Sequence, residues 1–184
     1  MQRVFIGLKV NPGDLLMRIS GSLRALLGNE KITWVDPANI HLTLAFLGNT
    51  EEELIKAVSI MLKKTCTGFG DFKFNLTGTG IFRNFNDPKV IWIGIEPDEK
   101  LLHLNNLIMT VLKDAGFRLE ERPFRPHLTL GRIKFIKDVN ALKSALEKYY
   151  DIPIQQVHVE EVILYESILK PTGPIYKPIG IFKL

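Results

Sequence analysis

The chain has 184 residues and a net charge of +4, and 46% of its residues are hydrophobic. That length and composition suit one ordinary domain, or two small lobes, with a packed core. No apolar stretch approaches the roughly 20 residues of a membrane span, and the first residues lack the pattern of a signal peptide. Cys66 is the only cysteine, which excludes a disulfide framework and a cysteine-based metal site, so we expect a cytoplasmic protein.

Hydrophobic spacing predicts the same five elements in each half of the chain, in the order strand, helix, strand, helix, strand. In the first half they cover 4–8, 14–27, 41–44, 51–64 and 72–77. In the second half they cover 90–94, 100–113, 127–130, 138–149 and 156–165. A final strand is expected over 175–184, in the position where a third unit would begin.

The tetrapeptide His-Leu-Thr-Leu occurs twice, beginning at His41 and at His127, a separation of 86 residues. The same offset relates Pro37 to Pro123 and aligns apolar positions in the first helix of each half. The aligned helix pairs are Leu15/Leu101, Leu16/Leu102, Leu23/Met109 and Leu26/Leu112. Strand–helix alternation can recur by accident, but an identical tetrapeptide with matched prolines favours an internal duplication. The duplication predicts two related lobes about a pseudo-twofold axis.

Side chains alternate between the two faces of a strand, so each tetrapeptide presents its leucines to one face and its His and Thr to the other. Two such strands facing each other would bring His41, Thr43, His127 and Thr129 into one cleft. Water that attacks a phosphodiester in line needs a base on one side and an acid on the other, and two histidines supply both near neutral pH. The threonine hydroxyls can donate hydrogen bonds to phosphate oxygens.

The offset of 86 also pairs Phe46 with Arg132. An aromatic ring and a guanidinium on either side of the cleft can clamp a nucleobase, and Arg132 would also stabilise charge on the phosphate. Core packing beside Leu44 and Leu47 is the alternative for Phe46. Basic residues surround the second tetrapeptide, which suits a phosphate-bearing ligand, although an ordinary solvated face has the same composition. The basic residues around the second tetrapeptide are Arg118, Arg122, Arg125, Arg132, Lys134 and Lys137.

Other uses of these residues are less well supported. Each tetrapeptide offers one strong metal ligand and has no Asp or Glu within it, so no metal is expected. The chain contains no Gly-x-Ser-x-Gly elbow, Walker loop or Gly-x-Gly-x-x-Gly element, which argues against a catalytic triad and a nucleotide cofactor. His103 and His158 fall in a predicted helix and a predicted strand, and we interpret both as structural or surface residues.

Longer segments around the tetrapeptides resemble a known family. They are Arg-Val-Phe-Ile-Gly-Leu at 3–8, Asn-Ile-His-Leu-Thr-Leu-Ala-Phe-Leu-Gly at 39–48, Arg-Pro-Phe-Arg-Pro-His-Leu-Thr-Leu-Gly-Arg at 122–132, and the stretches 164–167 and 173–176. Together with the duplicated His-x-Thr-x pattern, they are similar to the bacterial and archaeal RNA 2′,3′-cyclic phosphodiesterases. These enzymes, also called 2′-5′ RNA ligases, belong to the 2H phosphoesterase superfamily. The resemblance covers essentially the whole chain.

The resemblance implies an α+β fold, with 1–184 as a single bilobal domain. Each of its two pseudo-symmetric lobes would be an antiparallel β-sheet with outer helices, and the active site would lie in the cleft between the lobes. It also implies that Thr43 and Thr129 hold the phosphate, while Phe46 and Arg132 frame the base.

The implied reaction is hydrolysis of RNA 2′,3′-cyclic phosphate termini to 2′-phosphomonoester ends, without a cofactor. By resemblance His41 would be the proton donor and His127 the proton acceptor, a choice that the two identical tetrapeptides do not make by themselves. The implied partner is RNA with a 2′,3′-cyclic phosphate end, tRNA fragments included. An RNA 5′-hydroxyl in place of water would be joined in a 2′-5′ linkage.

No membrane partner is expected, and nothing in the sequence indicates an obligate oligomer, so a monomer is expected. A module that binds RNA ends with little turnover is the alternative from another functional class. The paired histidines argue against that alternative, because arginine or lysine would serve phosphate binding better.

Overall fold

The computed structural model describes residues 1–96, 98–119, 122–170 and 173–184. The helices in this part of the chain are α1 (Asp14–Leu26), α2 (Glu52–Cys66), α3 (Glu99–Asp114) and α4 (Val139–Glu147). The strands are β1 (Gln2–Lys9), β2 (Lys31–Trp34), β3 (His41–Thr50), β4 (Phe72–Phe82), β5 (Val90–Ile95), β6 (His127–Phe135), β7 (Pro153–Val159), β8 (Glu161–Lys170) and β9 (Gly173–Lys183). None of the helices described is long and apolar enough to cross a membrane.

All the strands join one antiparallel sheet in the order β7-β4-β5-β6-β3-β1-β8-β9, with β2 added along β6. β3 and β6 meet at its centre, where Leu42 pairs with Leu128. The strand order is symmetric about this pair, since β1 flanks β3 as β5 flanks β6. α1 packs on α4 and β7, whereas α2 packs on α3, β8 and β9. The predicted fold, two pseudo-symmetric antiparallel lobes with helices packed on them, is therefore confirmed.

The two lobes exchange strands. β4 comes from the first half of the sequence but pairs with β5 and β7, in the lobe of the second tetrapeptide. β8 comes from the second half but pairs with β1, in the lobe of the first. Neither half of the chain can therefore complete its sheet alone. One hydrophobic core extends through both lobes and includes Cys66, whose burial raises the pKa of its thiol to about 11.

The offset between the two halves is not uniform, so part of the predicted alignment is wrong. Phe5 pairs with Phe46 and Val90 pairs with Arg132, which makes Val90 the counterpart of Phe5 at an offset of 85. The buried helix residues match at the same offset, as Leu16/Leu101, Ile19/Leu104, Ser20/Asn105 and Leu23/Ile108. The predicted helix pairs are displaced by one residue. The second half has one more residue between its helix and its tetrapeptide, and a surface loop absorbs such an insertion at little cost.

Two further elements differ from the prediction. The strand predicted over 156–165 is two strands, β7 and β8, which are interrupted at Glu160 and lie in different lobes. No Gly or Pro marks the interruption, and both sides of it are rich in β-branched and other apolar residues, so the local pattern does not separate the two strands. β2 is missing from the prediction because four residues are too few for hydrophobic periodicity to be recognised.

Candidate active site

The two tetrapeptides begin the central strands β3 and β6. The leucine after each histidine is fully buried, whereas the His and Thr residues are half-buried on the opposite face, as predicted. Because these leucines pair with each other in antiparallel strands, His41 lies across from Thr129, and Thr43 lies across from His127. We call these four residues the His-Thr cluster. Its two histidines occupy opposite corners, with a threonine at each remaining corner.

A β-bulge in each central strand decides which side chains stand beside the His-Thr cluster. In the pairing of β3 with β1, Leu44 has no partner residue on β1. In the pairing of β6 with β5, Leu130 likewise has no partner residue on β5. Regular alternation would place Phe46 and Arg132, each five residues after a histidine, on the face opposite the histidines. The extra residue at each bulge shifts the alternation by one position, so Phe46 and Arg132 stand on the same face as the histidines. Both side chains are exposed, while the residue before each of them is buried.

Phe46 and Arg132 are therefore brought to the cluster. The ring of Phe46 is 55% exposed and lies 6.0 Å from the ring of Phe5, which in turn lies 4.9 Å from the imidazole of His41. The core-packing alternative for Phe46 is therefore wrong. The guanidinium of Arg132 is close enough to lower the pKa of both His41 and His127.

Each histidine is oriented by a backbone carbonyl two residues before it. His41 Nδ1 lies 2.6 Å from the carbonyl oxygen of Asn39, and His127 Nδ1 lies 2.7 Å from that of Arg125. A carbonyl only accepts, so Nδ1 carries the proton and donates it in both residues. Nε2 of each ring is left to act on a substrate, and it can accept or donate a proton according to the charge of the ring.

Both histidines have a pKa below the ordinary value of 6.5. Burial is the largest cause in each case, because it penalises the charged imidazolium. The bonds to Asn39 and Arg125 oppose this effect, whereas the positive charge of Arg132 adds to it. The charge of His127 lowers the pKa of His41 further. An anion between the two rings would act in the opposite direction and raise the pKa of both.

The rings around the two histidines differ. The imidazole of His41 meets the ring of Tyr176 edge-on at 4.9 Å and lies 6.3 Å from that of Tyr165. The imidazole of His127 meets Phe82 edge-on at 4.5 Å. These contacts restrict the orientation of each ring, and they make the environment of His41 the more aromatic of the two.

A cavity of about 430 Å³ opens beside His127, and we call it the His127 cavity. Its lining is mainly apolar and includes Phe46, Phe82, Met109, Leu119, Phe124 and His127. Of the six predicted basic residues, Arg122 and Arg125 line it, whereas Arg118, Arg132, Lys134 and Lys137 do not. A smaller cavity of about 260 Å³ lies beside His41 and is lined in part by Tyr165 and Tyr176.

The remaining histidines, His103 and His158, are both exposed, which agrees with their interpretation as structural or surface residues. His103 in α3 stacks on Phe69 at 5.8 Å, and His158 in β7 lies 2.5 Å from a carboxylate oxygen of Asp71. Within the described residues, no group of three or more His, Cys, Asp or Glu side chains is placed to hold a metal ion.

The sequence and the structure both match known proteins. The family model of the 2′-5′ RNA ligase superfamily matches residues 10–169. The chain belongs to the 2′-5′ RNA ligase superfamily. It is 36% identical to the RNA 2′,3′-cyclic phosphodiesterase of Thermotoga maritima over 176 residues, which cover 95% of this chain and 91% of that protein. It is 33% identical to the RNA 2′,3′-cyclic phosphodiesterase of Archaeoglobus fulgidus over 181 residues, which cover 98% and 99%.

Solved structures have the same fold. E. coli LigT in complex with 3′-AMP superimposes with a TM-score of 0.75 at 25% identity, covering 100% of this chain and 98% of that one. The protein TT0787 of Thermus thermophilus has a TM-score of 0.74 at 24% identity, covering 99% and 97%, and supports the fold alone. The family resemblance inferred from the tetrapeptides is confirmed.

Sequence reasoning missed several residues that complete the site of this superfamily member. Phe82, Tyr165 and Tyr176 contact the histidines but come from β4, β8 and β9, far from either tetrapeptide. Tyr165 and Tyr176 fall in the C-terminal stretches that resemble the family, which was the only available signal. An aromatic residue in a strand is common, and local spacing does not distinguish one beside an active site from one in the core.

Proposed function

We propose that this protein hydrolyses the 2′,3′-cyclic phosphate at the end of an RNA chain and leaves a 2′-phosphomonoester. The observation that carries the proposal is the diagonal placement of His41 and His127, each with Nδ1 bonded to a carbonyl and Nε2 available. In-line displacement at phosphorus needs an acid and a base on opposite sides of the reacting atom. The names of the Thermotoga and Archaeoglobus relatives support the substrate class.

In the proposed reaction a water molecule attacks phosphorus from the side of His127, and Nε2 of that ring accepts the proton. The P–O3′ bond breaks on the other side, and His41 donates a proton from Nε2 to O3′. This division of roles follows the family resemblance. One turnover leaves His127 charged and His41 neutral, and proton exchange with solvent restores both. Every atom and proton is accounted for by water, substrate and the two rings, so the step needs no cofactor.

The remaining residues of the site would bind the substrate. Thr43 and Thr129 stand at the free corners of the His-Thr cluster, where their hydroxyls can donate to the non-bridging phosphate oxygens. Arg132 would neutralise charge that builds on those oxygens. Phe46 and Arg132 are placed by equivalent bulges, and we propose that they frame the terminal base by stacking.

The same chemistry can join two RNA strands. If an RNA 5′-hydroxyl replaces water, the product is a 2′-5′ linkage, and tRNA fragments with a cyclic phosphate end are candidate substrates. Water is so concentrated that hydrolysis dominates unless the two RNA ends are held together. We place the activity in 1–184 as one bilobal domain, because each lobe contains strands from both halves of the chain. A monomer suffices, because one chain supplies the whole His-Thr cluster.

The test is incubation of a short RNA ending in a 2′,3′-cyclic phosphate with the protein and EDTA, followed by identification of the new end. We expect a 2′-phosphate from the wild type and its loss in both His41→Ala and His127→Ala. His103→Ala, which removes a histidine outside the site, is the matched control and should behave as the wild type.

Binding without turnover is the competing function, and the same variants separate the two. If His41→Ala abolishes product formation but still binds the RNA end nearly as well as the wild type, the enzyme proposal stands. A wild type that binds the cyclic end and leaves it unchanged would replace the enzyme proposal with the binding module.

A further inference from the structure

The last two strands of the chain extend beyond their pairing with the rest of the sheet. β8 pairs with β1 over Ile163–Glu166, and it continues to pair with β9 over Ser167–Lys170 and Gly173–Tyr176. We call these last two segments the distal strand pair. The ring of Tyr176 in this pair meets the imidazole of His41 edge-on at 4.9 Å. The distal strand pair therefore supplies a side chain that covers His41.

A hydrogen bond joins the distal strand pair to the segment that precedes β3. The side-chain amide of Asn39 donates it to the backbone carbonyl of Pro174 in β9, at 2.9 Å. The two residues are 135 positions apart in the chain, and β1 and β8 separate β3 from β9 in the sheet. Within the part of the chain that the structure describes, no other hydrogen bond joins β9 to an element other than β8. This bond closes the first lobe around His41.

The backbone of the same Asn39 orients the imidazole of His41. Its carbonyl oxygen lies 2.6 Å from Nδ1 of that ring and accepts a hydrogen bond from it. Asn39 ends a short 3₁₀ turn, Pro37–Asn39, in which the ring of the proline fixes φ at the first position. The proline restricts the turn itself, and the bond to Pro174 restricts the position of the turn relative to β9. The imidazole is thus held between a carbonyl and the ring of Tyr176, and the two segments that supply them are bonded to each other.

The carbonyl that orients His127 is attached to a different kind of side chain. The offset of 86 relates Asn39 to Arg125, whose carbonyl oxygen lies 2.7 Å from Nδ1 of His127. The side chain of Arg125 is exposed and borders the His127 cavity, whereas that of Asn39 is half-buried and bonded to a distant strand. The two histidines therefore share the carbonyl bond, but their carbonyls are held by different means.

We propose that Asn39 is a positioning residue for His41, whose backbone carbonyl fixes the imidazole and whose side-chain amide fixes that carbonyl against the distal strand pair. This inference rests on the proposed function, in which Nε2 of His41 gives a proton to O3′. A proton donor must keep its direction and its distance to the leaving oxygen, and a displacement of about 1 Å can lower a rate about a hundredfold. Other side chains bind the base and the phosphate in the proposed function. Loss of the Asn39 side chain therefore lowers kcat and leaves KM nearly unchanged.

The first test compares steady-state kinetics of Asn39→Ala and Gln155→Ala on an RNA that ends in a 2′,3′-cyclic phosphate. Gln155 is the matched control, because its half-buried side-chain amide also donates a 2.9 Å hydrogen bond to a backbone carbonyl, that of Asn11. We expect kcat to fall about tenfold or more in Asn39→Ala, with KM within about twofold of the wild type. Both constants should stay near the wild-type values in Gln155→Ala. Asn39→Asp keeps the size of the side chain but lacks the amide donor, so it should resemble Asn39→Ala, and it serves if Asn39→Ala does not fold.

The second test identifies the step that Asn39 supports. It uses the same RNA with sulfur in place of O3′ in the cyclic phosphate, because a thiolate leaves without needing a proton. We expect kcat of Asn39→Ala to return to within about threefold of the wild type on this RNA, since the position of the proton donor no longer matters. His41→Ala should recover in the same way, whereas His127→Ala should not. A side chain that only stabilises the fold would leave the loss equal on both substrates.

Three outcomes would overturn the inference while the wild type hydrolyses the RNA. They are an unchanged kcat in both Asn39 variants, a loss in Gln155→Ala equal to that in Asn39→Ala, and a loss in Asn39→Ala that persists on the sulfur-containing RNA although His41→Ala recovers. A wild type that hydrolyses neither RNA contradicts the proposed function, and the inference fails with it. The activity of the wild type therefore distinguishes the two kinds of failure.

Discussion

The side-chain amide of Asn105 in α3 donates a hydrogen bond of 2.9 Å to the backbone carbonyl of Leu44, the bulge residue of β3. Asn105 is only 3% exposed. A bulge leaves its extra residue outside the regular ladder, so a buried carbonyl there needs another donor. In β6 the equivalent carbonyl of Leu130 accepts from the backbone N–H of Val35 at 2.8 Å. The two lobes thus stabilise equivalent bulges with different donors.

We expect Asn105→Ala to lower the free energy of unfolding by about 1–3 kcal/mol, because it leaves a buried carbonyl without a donor. A shift of the bulge would also move Phe46, so KM for an RNA substrate should rise by a larger factor than kcat falls. Chemical denaturation and steady-state kinetics measure the two effects. Asn106→Ala, at the next and exposed position of α3, should stay within about 0.5 kcal/mol of the wild type. Equal stability of the two variants would contradict the role of this hydrogen bond.

Replacement of Arg132 by glutamine should move the pH optimum of kcat/KM upward. The guanidinium lowers the pKa of both His41 and His127, so removing its charge raises both. Activity needs one neutral and one charged ring, and both limbs of the bell-shaped profile therefore move to higher pH. Arg132→Lys keeps the charge and is the control, with an optimum near that of the wild type. The measurement is the pH profile of cyclic phosphate hydrolysis, and a downward shift in Arg132→Gln would refute the argument.

Phe46→Ala should weaken binding of the RNA end. Stacking of a base on an aromatic side chain contributes about 1–3 kcal/mol, which corresponds to a roughly 5- to 150-fold rise in KM when binding determines KM. Phe135, an equally exposed phenylalanine toward the end of β6, is outside the proposed site, so Phe135→Ala is the matched control. Steady-state kinetics on one short RNA measure the KM of both variants. Similar KM values for the two variants would show that Phe46 does not contact the base.

Tyr176→Ala should raise the pKa of His41 toward its ordinary value. Burial is the main cause of the lowered pKa, and the ring of Tyr176 forms part of that cover at 4.9 Å. Tyr176→Phe keeps the ring and should leave the pKa of His41 nearly unchanged. NMR titration of the histidine ring protons measures both variants. His127, which has no contact with Tyr176 among the aromatic pairs described, provides an internal reference in the same spectra.

Much of the His-Thr cluster could be predicted because the tetrapeptide is a local pattern. Alternation along a strand separates the two leucines from His and Thr, whatever the rest of the chain does. Its recurrence at an offset of 86 identified the pseudo-twofold relation and hence the pairing of two equivalent strands. The helices were also predictable in extent, since their apolar spacing is local, but not in their exact alignment, which depends on which side chains reach the core.

Other features depend on contacts that the local sequence does not contain. Strand exchange places β4 and β8 in the opposite lobes, where they bring Phe82 and Tyr165 to the histidines. Nothing in the local pattern of β4 or β8 specifies its partner, because pairing is decided by the core that both lobes share. The open edge of β3 likewise results from the absence of a strand equivalent to β2 in the described residues.

The sequence by itself determined the two histidines, the two threonines, the strands that carry them and the family to which the chain belongs. Tertiary structure decided that Phe46 and Arg132 stand on the histidine side and that a cavity opens beside His127. The physical reason is that a bulge removes backbone groups from the ladder and persists only where distant donors satisfy them. Those donors, Asn105 and Val35, are held in place by α3 and by β2.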